Sequence, residues 1–434
     1  MKAKIGRKIY NATITYYDTY AMLHISTNLL RPLNQDLLKK IRFYDAEKNV
    51  YSLFNNIIYE SEIIDEITIR YHIKSYVVFK GNLDINKLIF NKVYIYSKQF
   101  NDYFINTKAN FNRANNITSI SISPRTLYLF ENNEFKVSHI NRFETSANTS
   151  NSFINNYSIV SLNLYENYSY DYILKYVDNI IKIFGFVTRN VVNINKLIFF
   201  NENDKFELIC SDYYTRYKLK LNDSVNEANS LNALKNIITA YYSVDSLASC
   251  INLYYEYIRN DLNDDFKLIN LVNTIEMIAD FDSNKREIST YAFQTNTRLI
   301  ESNNKFINIK KVLMDNLKKD EYKPIISFIK QYYDPKYFEL GDKLRYYFYN
   351  YFNLKESENS NLLITKIIKL RNYYVHGTEF ANKYKLSDNE LFLTQNLLKI
   401  MSYILIWEET AFESNQHKQE LESTMYSIYK LLTK

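Results

Sequence analysis

The amino-acid sequence predicts an α+β protein, with a β-rich N-terminal domain at residues 1–220 followed by an all-α helical bundle at residues 221–434. In the first half, apolar and polar residues alternate with a period of two, which is typical of half-buried strands. From about Ser224 onwards, apolar residues recur every three or four positions, which is typical of helices packed along one face. Because the two domains meet at a change of hydrophobic period, we expect no flexible linker between them.

The first half contains clear strand patterns and one helical pattern. Strands are predicted at residues 66–74, 92–97, 118–123, 191–194 and 196–200, where Ile, Val, Tyr and Thr alternate with polar residues or form short apolar runs. Between residues 168 and 186 the apolar positions change to helical spacing, and Gly185 is a plausible end of that helix. The polar stretch at residues 145–156 is predicted to be a surface loop.

Two capping boxes mark helix starts in the second half. Ser224 with Glu227 and Ser387 with Glu390 have the spacing at which a Ser oxygen and a carboxylate each bind a free backbone amide at a helix start. A further apolar helical run at residues 362–370 leads directly into a short polar motif. The second half therefore reads as a series of packed helices.

Composition excludes several protein classes. The 434 residues include only five Gly and two Cys, Cys210 and Cys250, without a CxxC pair. We therefore expect no glycine-rich phosphate loop, no disulfide framework, no zinc site and no cofactor. The N-terminus lacks an apolar signal core and no stretch has the length of a membrane span, so a cytoplasmic protein without membrane contact is expected. A formal net charge of +6 is compatible with RNA as a partner.

The candidate catalytic motif contains Arg371, Asn372, His376 and Gly377. Gly377 suits the position just after a helix, which places His376 in the last helical turn. A His near neutrality transfers protons at pH 7, and an Arg stabilises the charge of a phosphate in its transition state. Arg371 and His376 are about 140° apart around an ideal helix. They can meet through the reach of the Arg side chain or through pairing of two helices across a dimer.

Arg, a polar residue, any three residues and His form the signature of HEPN domains, and the motif at 371–377 resembles the variant in the ApeA-like branch of bacterial anti-phage proteins. The resemblance implies a metal-independent endoribonuclease that dimerises through its helical domain. Such an enzyme uses the 2′-OH of RNA as nucleophile and gives 2′,3′-cyclic phosphate and 5′-OH ends. By the same resemblance, Glu276 joins Arg371, Asn372 and His376 as a site residue that holds the Arg side chain in place.

Two function classes follow from this resemblance. The first is a defence effector that causes abortive infection by cleaving tRNA or another host RNA. Its N-terminal domain would act as a sensor or regulator that responds to a phage-derived trigger. The second is a non-catalytic HEPN scaffold that binds nucleic acid, a nucleotide or a protein partner. The presence of both Arg371 and His376 favours the nuclease, because a scaffold needs neither.

Several other residues are weaker candidates. Lys366 and Lys369 precede the motif and would extend a basic patch toward RNA phosphates. The aromatic run at residues 345–352 offers rings that could stack on bases, but such runs more often pack in a core, and we predict core packing. His24, His72, His139 and His417 lack metal-ligand spacing and are predicted to be structural.

Overall fold

The computed structural model describes the chain except for residues 17–20, 27–31, 66–67, 85–87, 98, 101–109, 115–116, 122–125, 149–150, 203, 212–230, 260–262, 296, 334–338, 379–380, 411–426 and 428–434. The chain separates into two compact units, Met1–Thr239 and Ala240–Lys434. The predicted boundary near residue 220 and the predicted capping box of Ser224 and Glu227 lie outside the described residues.

The first unit is built from strands, as the sequence predicts. In chain order the strands are β1 (Lys2–Ile5), β2 (Lys8–Tyr16), β3 (Ala21–Ser26), β4 (Lys40–Tyr44), β5 (Val50–Asp65), β6 (Thr68–Lys80), β7 (Ile89–Tyr96), β8 (Asn110–Ala114), β9 (Ile117–Ser121), β10 (Thr126–Glu131), β11 (Phe135–Asn148), β12 (Asn151–Ser169), β13 (Lys196–Asn201) and β14 (Asp204–Ser211). Two helices accompany them, α1 (Gln35–Leu38) and α2 (Tyr170–Thr188).

Twelve strands form one sheet in the order β10-β11-β12-β7-β13-β14-β6-β3-β2-β1-β4-β5. Its strand pairs are antiparallel, and β8 and β9 form a separate two-stranded sheet. β5 pairs with β6 as well as with β4, so the strand order returns on itself. Alternate residues such as Leu23, Ile25, Ile41 and Phe43 are fully buried in the core of this part of the sheet, which is the outcome that period-2 alternation predicts.

Two local predictions about α2 and the segment after it were wrong. Gly185 lies within the helix and is buried, and the helix ends instead at Thr188, where Arg189 adopts a left-handed φ of 54°. The helix continues because Phe186 and Val187 are also buried against the core. The predicted strand at 191–194 is an irregular segment. Its apolar residues reflect burial, and Gln99 Nε2 donates to the carbonyl oxygen of Val191 at 3.2 Å.

The predicted surface loop at residues 145–156 was also wrong. Residues 145–148 extend β11 and residues 151–156 belong to β12, and the register of the two strands continues to the pair Asn148–Asn151. Hydrogen bonds between strands are made by backbone groups, so a polar segment can pair when its neighbour holds it in register. The side chains therefore gave no periodic apolar signal for this hairpin.

The second unit is helical. Its helices are α3 (Leu231–Ser243), which begins in the first unit, α4 (Asp245–Ile258), α5 (Asp264–Ala279), α6 (Asp282–Thr295), α7 (Thr297–Asn316), α8 (Lys319–Tyr333), α9 (Leu340–Arg345), α10 (Glu358–His376) and α11 (Asp388–Glu408). A π-helical segment spans Tyr346–Tyr351 and a 3₁₀ turn spans Asn382–Tyr384. In the described part of the chain, no helix is both long and apolar enough to cross a membrane.

α5 and α11 contribute much of the core of the helical unit. Leu271, Val272 and Ile275 of α5 are fully buried, as are Met401 and Ile404 of α11. The predicted capping box of Ser387 and Glu390 opens α11, with Glu390 Oε2 accepting from the Ser387 amide at 2.8 Å. The predicted α+β class, with a β-rich region followed by a helical one, is thus confirmed.

Candidate active site at the end of α10

The helix that carries the motif is defined at both ends. At its start, the Ser357 hydroxyl accepts from the amide of Ser360, and Ser360 Oγ accepts from the amide of Ser357. At its end, Gly377 adopts a φ of 62° and donates its N–H to the carbonyl oxygen of Tyr373 at 2.9 Å. This left-handed conformation suits Gly, which has no Cβ. His376 is therefore the last helical residue.

Arg371 and His376 of the same chain are in direct contact. The Nη1 atom of Arg371 lies 2.7 Å from Nε2 of His376. The reach of the Arg side chain thus spans the angular gap, and pairing of two helices is not needed for this contact. A guanidinium group can only donate, so Nε2 of His376 is the acceptor in this hydrogen bond. The contact therefore occupies the lone pair of Nε2.

Glu276 on α5 holds the other side of the guanidinium group. Nη2 of Arg371 donates to Oε2 of Glu276 at 2.8 Å, and the two side chains are 16% and 25% exposed. A partly shielded ion pair of this kind fixes the plane of the Arg fork more firmly than an exposed pair would. Asn372 makes a weaker contact, in which its Oδ1 lies 3.4 Å from Nη1 of Arg371.

A fifth residue, Lys343 on α9, extends the cluster. Its Nζ lies 2.9 Å from Oδ1 of Asp280 and 3.9 Å from Oε1 of Glu276, and its side chain is 7% exposed. Cations and carboxylates therefore alternate in the order Arg371, Glu276, Lys343, Asp280. Sequence reasoning missed Lys343 because it lies 67 positions from Glu276 and no local pattern distinguishes it from other lysines.

Arg371 has an N–H group that is still able to donate a hydrogen bond. Its Nε atom is buried and has no hydrogen-bond partner among the residues that the structure describes. Buried donors are almost always satisfied in folded proteins, and an unsatisfied donor costs about 1–3 kcal/mol. An anionic ligand that drew the side chain outward would relieve this cost. The arrangement is therefore suited to a phosphate.

A cavity of about 700 Å³ adjoins the same helix. Its lining includes Asp265, Leu370, Tyr373, Tyr374 and Lys385. Tyr374 donates its hydroxyl proton to the carboxylate of Asp265, and this hydrogen bond raises the pKa of Tyr374 to about 12. The volume lies within the usual range for small-molecule sites, and its two tyrosines and polar groups suit a nucleoside.

The weaker sequence candidates have other roles. Lys366, predicted to join a basic patch, is instead buried in an ion pair with Glu390 at 2.7 Å. Burial of this Lys reflects its position on the inner face of α10, which the spacing of neighbouring polar residues did not reveal. The Nζ of Lys369 lies 5.9 Å from the ring centre of Tyr384.

The aromatic run at residues 345–352 and His24 fit structural roles. Tyr346, Tyr347 and Phe348 of the π-helical segment are buried, which confirms the predicted core packing. His24 accepts a hydrogen bond from Arg70 Nε within the sheet, whereas His417 lies outside the described residues. Among the residues that the structure describes, no group of three His, Cys, Asp or Glu side chains is arranged to hold a metal ion.

Comparison with known protein families places this cluster in context. Residues 269–416 match the family model described as Apea-like HEPN. No curated protein and no solved structure matches the chain significantly. The matched span includes Glu276, Lys343, Arg371 and His376, so the whole charged cluster falls within one known type of helical domain.

Proposed function

Because residues 269–416 form an Apea-like HEPN domain, we propose that this protein is an endoribonuclease that acts in anti-phage defence. HEPN domains are in general ribonucleases, and the family indicates a defence role in broad terms. The observation that carries the specific proposal is the 2.7 Å contact between Nη1 of Arg371 and Nε2 of His376. It places a proton acceptor beside a permanent cation, which is what transesterification of RNA needs.

The proposed reaction uses the nucleophile that RNA supplies. The phosphate of the bound RNA would draw Nη1 of Arg371 away from His376. Nε2 of His376 then takes the proton of a 2′-OH, and the 2′ oxygen forms a bond to the adjacent phosphorus. The bond from phosphorus to the 5′ oxygen of the next nucleotide then breaks. The products are a 2′,3′-cyclic phosphate and a 5′-OH. Asn372 would orient the phosphate or the attacking hydroxyl group, since its amide lies beside the Arg371 guanidinium.

Proton uptake by His376 would then keep Arg371 on the phosphate. A protonated imidazole has no acceptor at Nε2, so it can no longer accept from the Arg371 guanidinium. The guanidinium is then repelled from His376 as negative charge grows on the phosphate oxygens. Glu276 keeps the Arg fork from leaving the site. Proton transfer and charge stabilisation are thereby coupled in one pair of residues.

The departing 5′ oxygen needs a proton, which the same His376 cannot give while it acts as the base. A homodimer formed through the helical unit would bring a second His376 to the cleft, and that residue is our candidate for the general acid. The argument for dimerisation is therefore the need for a general acid. The angle between Arg371 and His376 no longer supports it, because Arg371 reaches His376 within one chain. The large β-rich unit would carry the sensing or restraint of the nuclease and respond to the phage-derived trigger.

The alternative is a HEPN scaffold that binds a nucleotide, nucleic acid or protein without cleaving RNA. The cavity beside Tyr373 and Tyr374 is large enough for a nucleotide and favours this alternative more than any other feature. The buried Arg371 Nε, which has no partner in the described part of the chain, fits either function, because a bound phosphate could contact it in both. The two functions differ in whether RNA fragments appear.

The first prediction concerns the ends of those fragments. Purified full-length protein incubated with total tRNA in EDTA should yield fragments with 2′,3′-cyclic phosphate and 5′-OH ends, because the 2′-OH is the nucleophile. The 5′-OH is detected by direct labelling with polynucleotide kinase, without prior phosphatase treatment. Fragments with 5′-phosphate ends would contradict the mechanism. Intact tRNA, with a wild-type protein that binds it, would favour the scaffold.

A further inference from the structure

Helices α7 and α8 form a two-helix arm within the chain segment that runs from Asp280 to Lys343, two residues of the charged cluster. The chain leaves the cluster at Asp280, builds α6, α7 and α8, and returns at Lys343, whose Nζ contacts Oδ1 of Asp280 at 2.9 Å. α7 has 20 residues and is about 30 Å long. It packs against α8 and α6. The ion pair between Asp280 and Lys343 thus joins the two ends of the chain segment that contains α6, α7 and α8.

The arm has an unusual exposure for a helical hairpin. Where the structure describes burial in α7 and α8, no residue is buried. Large apolar side chains are open to solvent, with Ile307 at 51% and Phe328 at 62%. By contrast, Ile288 and Ala292 of α6 are buried in the unit. The described faces of both helices are therefore accessible to a partner.

The charge of the arm identifies that partner. Residues 297–333 contain eight Lys or Arg and four Asp or Glu, a net charge of +4 within a chain whose total is +6. Lys310, Lys311, Lys319 and Lys323 are exposed. No ion pair joins any of these four to a carboxylate among the described residues, whereas Lys343 and Lys366 elsewhere in the unit are paired.

The lysines of α8 are also segregated to one side. Lys319 and Lys323 are four residues apart and therefore lie on one face of the helix. Ile325 and Phe328 lie roughly opposite, given about 100° of rotation per residue. Lysines that lie on one face of a helix, without an ion pair among the described residues, can contact the phosphate groups of a nucleic acid. Each such contact releases counterions. A second copy of the chain would instead present the same positive charge and be repelled.

We propose that the arm formed by α7 and α8 binds the phosphate backbone of the RNA substrate and leads the RNA toward Arg371 and His376. This inference rests on the proposed ribonuclease function, since it assigns the RNA its path to that site. Lys319 and Lys323 are the residues that we expect to contact phosphates directly. They would act on binding and take no part in the chemical step, because they lie on the arm and not in the charged cluster.

The test compares RNA binding by matched lysine variants. All proteins carry His376→Ala, so that labelled total tRNA stays intact, and binding is followed by fluorescence anisotropy from about 50 to 200 mM salt. The arm variant is Lys319→Gln with Lys323→Gln. The control, Lys2→Gln with Lys4→Gln, removes the same charge from exposed positions of β1. Gln and Lys have similar helix propensity, and circular dichroism confirms the fold of each variant.

The arm variant should bind tRNA about tenfold more weakly at physiological salt, and its plot of log affinity against log salt should be shallower by about 1.4–1.8, for two lost phosphate contacts. The control should bind as the parent does. Equal binding by the arm variant and the parent would overturn the inference, as would equal losses in both lysine pairs. An arm variant with altered mass in light scattering but unchanged RNA binding would assign the arm to protein contacts instead.

The outcomes for the arm and for the nuclease are separable. If wild-type protein cleaves tRNA while the arm variant binds it normally, the inference fails and the proposed function stands. If wild-type protein cleaves nothing but tRNA binding depends on Lys319 and Lys323, the arm binds RNA and the catalytic proposal fails.

Discussion

At the scale of single residues, Arg371 links the candidate catalytic residue His376 to a neighbouring helix. One Nη atom contacts the imidazole of His376, and the other contacts Glu276 on a different helix. A neutral His376 and a charged Arg371 can share this contact only while Nε2 remains unprotonated. Protonation of Nε2 of His376 would therefore break this hydrogen bond.

The role of Glu276 can be tested with an isosteric change. Glu276→Gln keeps the size of the side chain but removes the charge that holds Arg371, so we expect the kcat for RNA cleavage to fall about tenfold, or about 1.4 kcal/mol. KM should change less, because Glu276 is expected to act through Arg371, which it contacts. Asp280→Asn is the matched control, since Asp280 contacts Lys343 and is half exposed. A Glu276→Gln enzyme as fast as the Asp280→Asn enzyme would show that Glu276 does not position Arg371.

The linear motif made part of the site predictable from the sequence. Arg371, His376 and Gly377 lie within seven residues, so their spacing alone indicates a helix end with a His beside an Arg. Lys343 was not predictable, since its contacts with Glu276 and Asp280 depend on how α9 packs against α5. The Arg371–His376 contact also required coordinates, because its 140° separation left two explanations open.

At the scale of elements, α10 is supported by α11 through one ion pair. Lys366 lies 2.7 Å from Glu390, whose carboxylate also accepts from the Ser387 amide. Burial acts to raise the pKa of Glu390, but the hydrogen bonds from Lys366 and Ser387 outweigh it and lower the pKa below its ordinary value. The helix that carries Arg371 is thus tied to the start of its neighbour.

The ion pair between Lys366 and Glu390 predicts how the stability of the helical unit depends on pH. Because the pKa of Glu390 is lowered in the folded state, its contribution is fully present above the unfolded pKa of about 4.3 and is lost as pH falls through the folded pKa. Glu390→Gln should destabilise the helical unit by about 1 kcal/mol at pH 7 and by less at pH 3. Unfolding is followed by fluorescence of Trp407, the only Trp in the chain, which lies on the same helix. An equal loss at both pH values would remove ionised Glu390 as the cause.

Prediction of helices and strands from the sequence succeeded where apolar side chains recur with the period of the helix or strand. Alternation located β6 and β7, and the Ser387–Glu390 pattern located the start of α11. It failed at residues 145–156, where backbone pairing extends β11 and β12 through polar sequence. It also failed at Gly185, where burial of the following apolar residues continues the helix.

At the scale of the whole molecule, the chain combines a large antiparallel sheet with a helical unit, of which residues 269–416 match the Apea-like HEPN family model. The α+β class followed from the change of hydrophobic period, but the order of the twelve strands did not, since it depends on pairings between strands far apart in sequence. We propose that the helical unit cuts RNA and that the sheet unit restrains it. A nuclease with a preformed Arg371–His376 pair would otherwise damage the host cell.

The most direct test of the central claim is cleavage of total tRNA by full-length His376→Ala protein. Circular dichroism and light scattering first establish that the variant has the fold and mass of the wild-type protein. Removal of the proton acceptor should slow cleavage by about 10²–10⁴-fold. Cleavage by the variant at the wild-type rate would contradict the assignment of Arg371 and His376 as the catalytic pair.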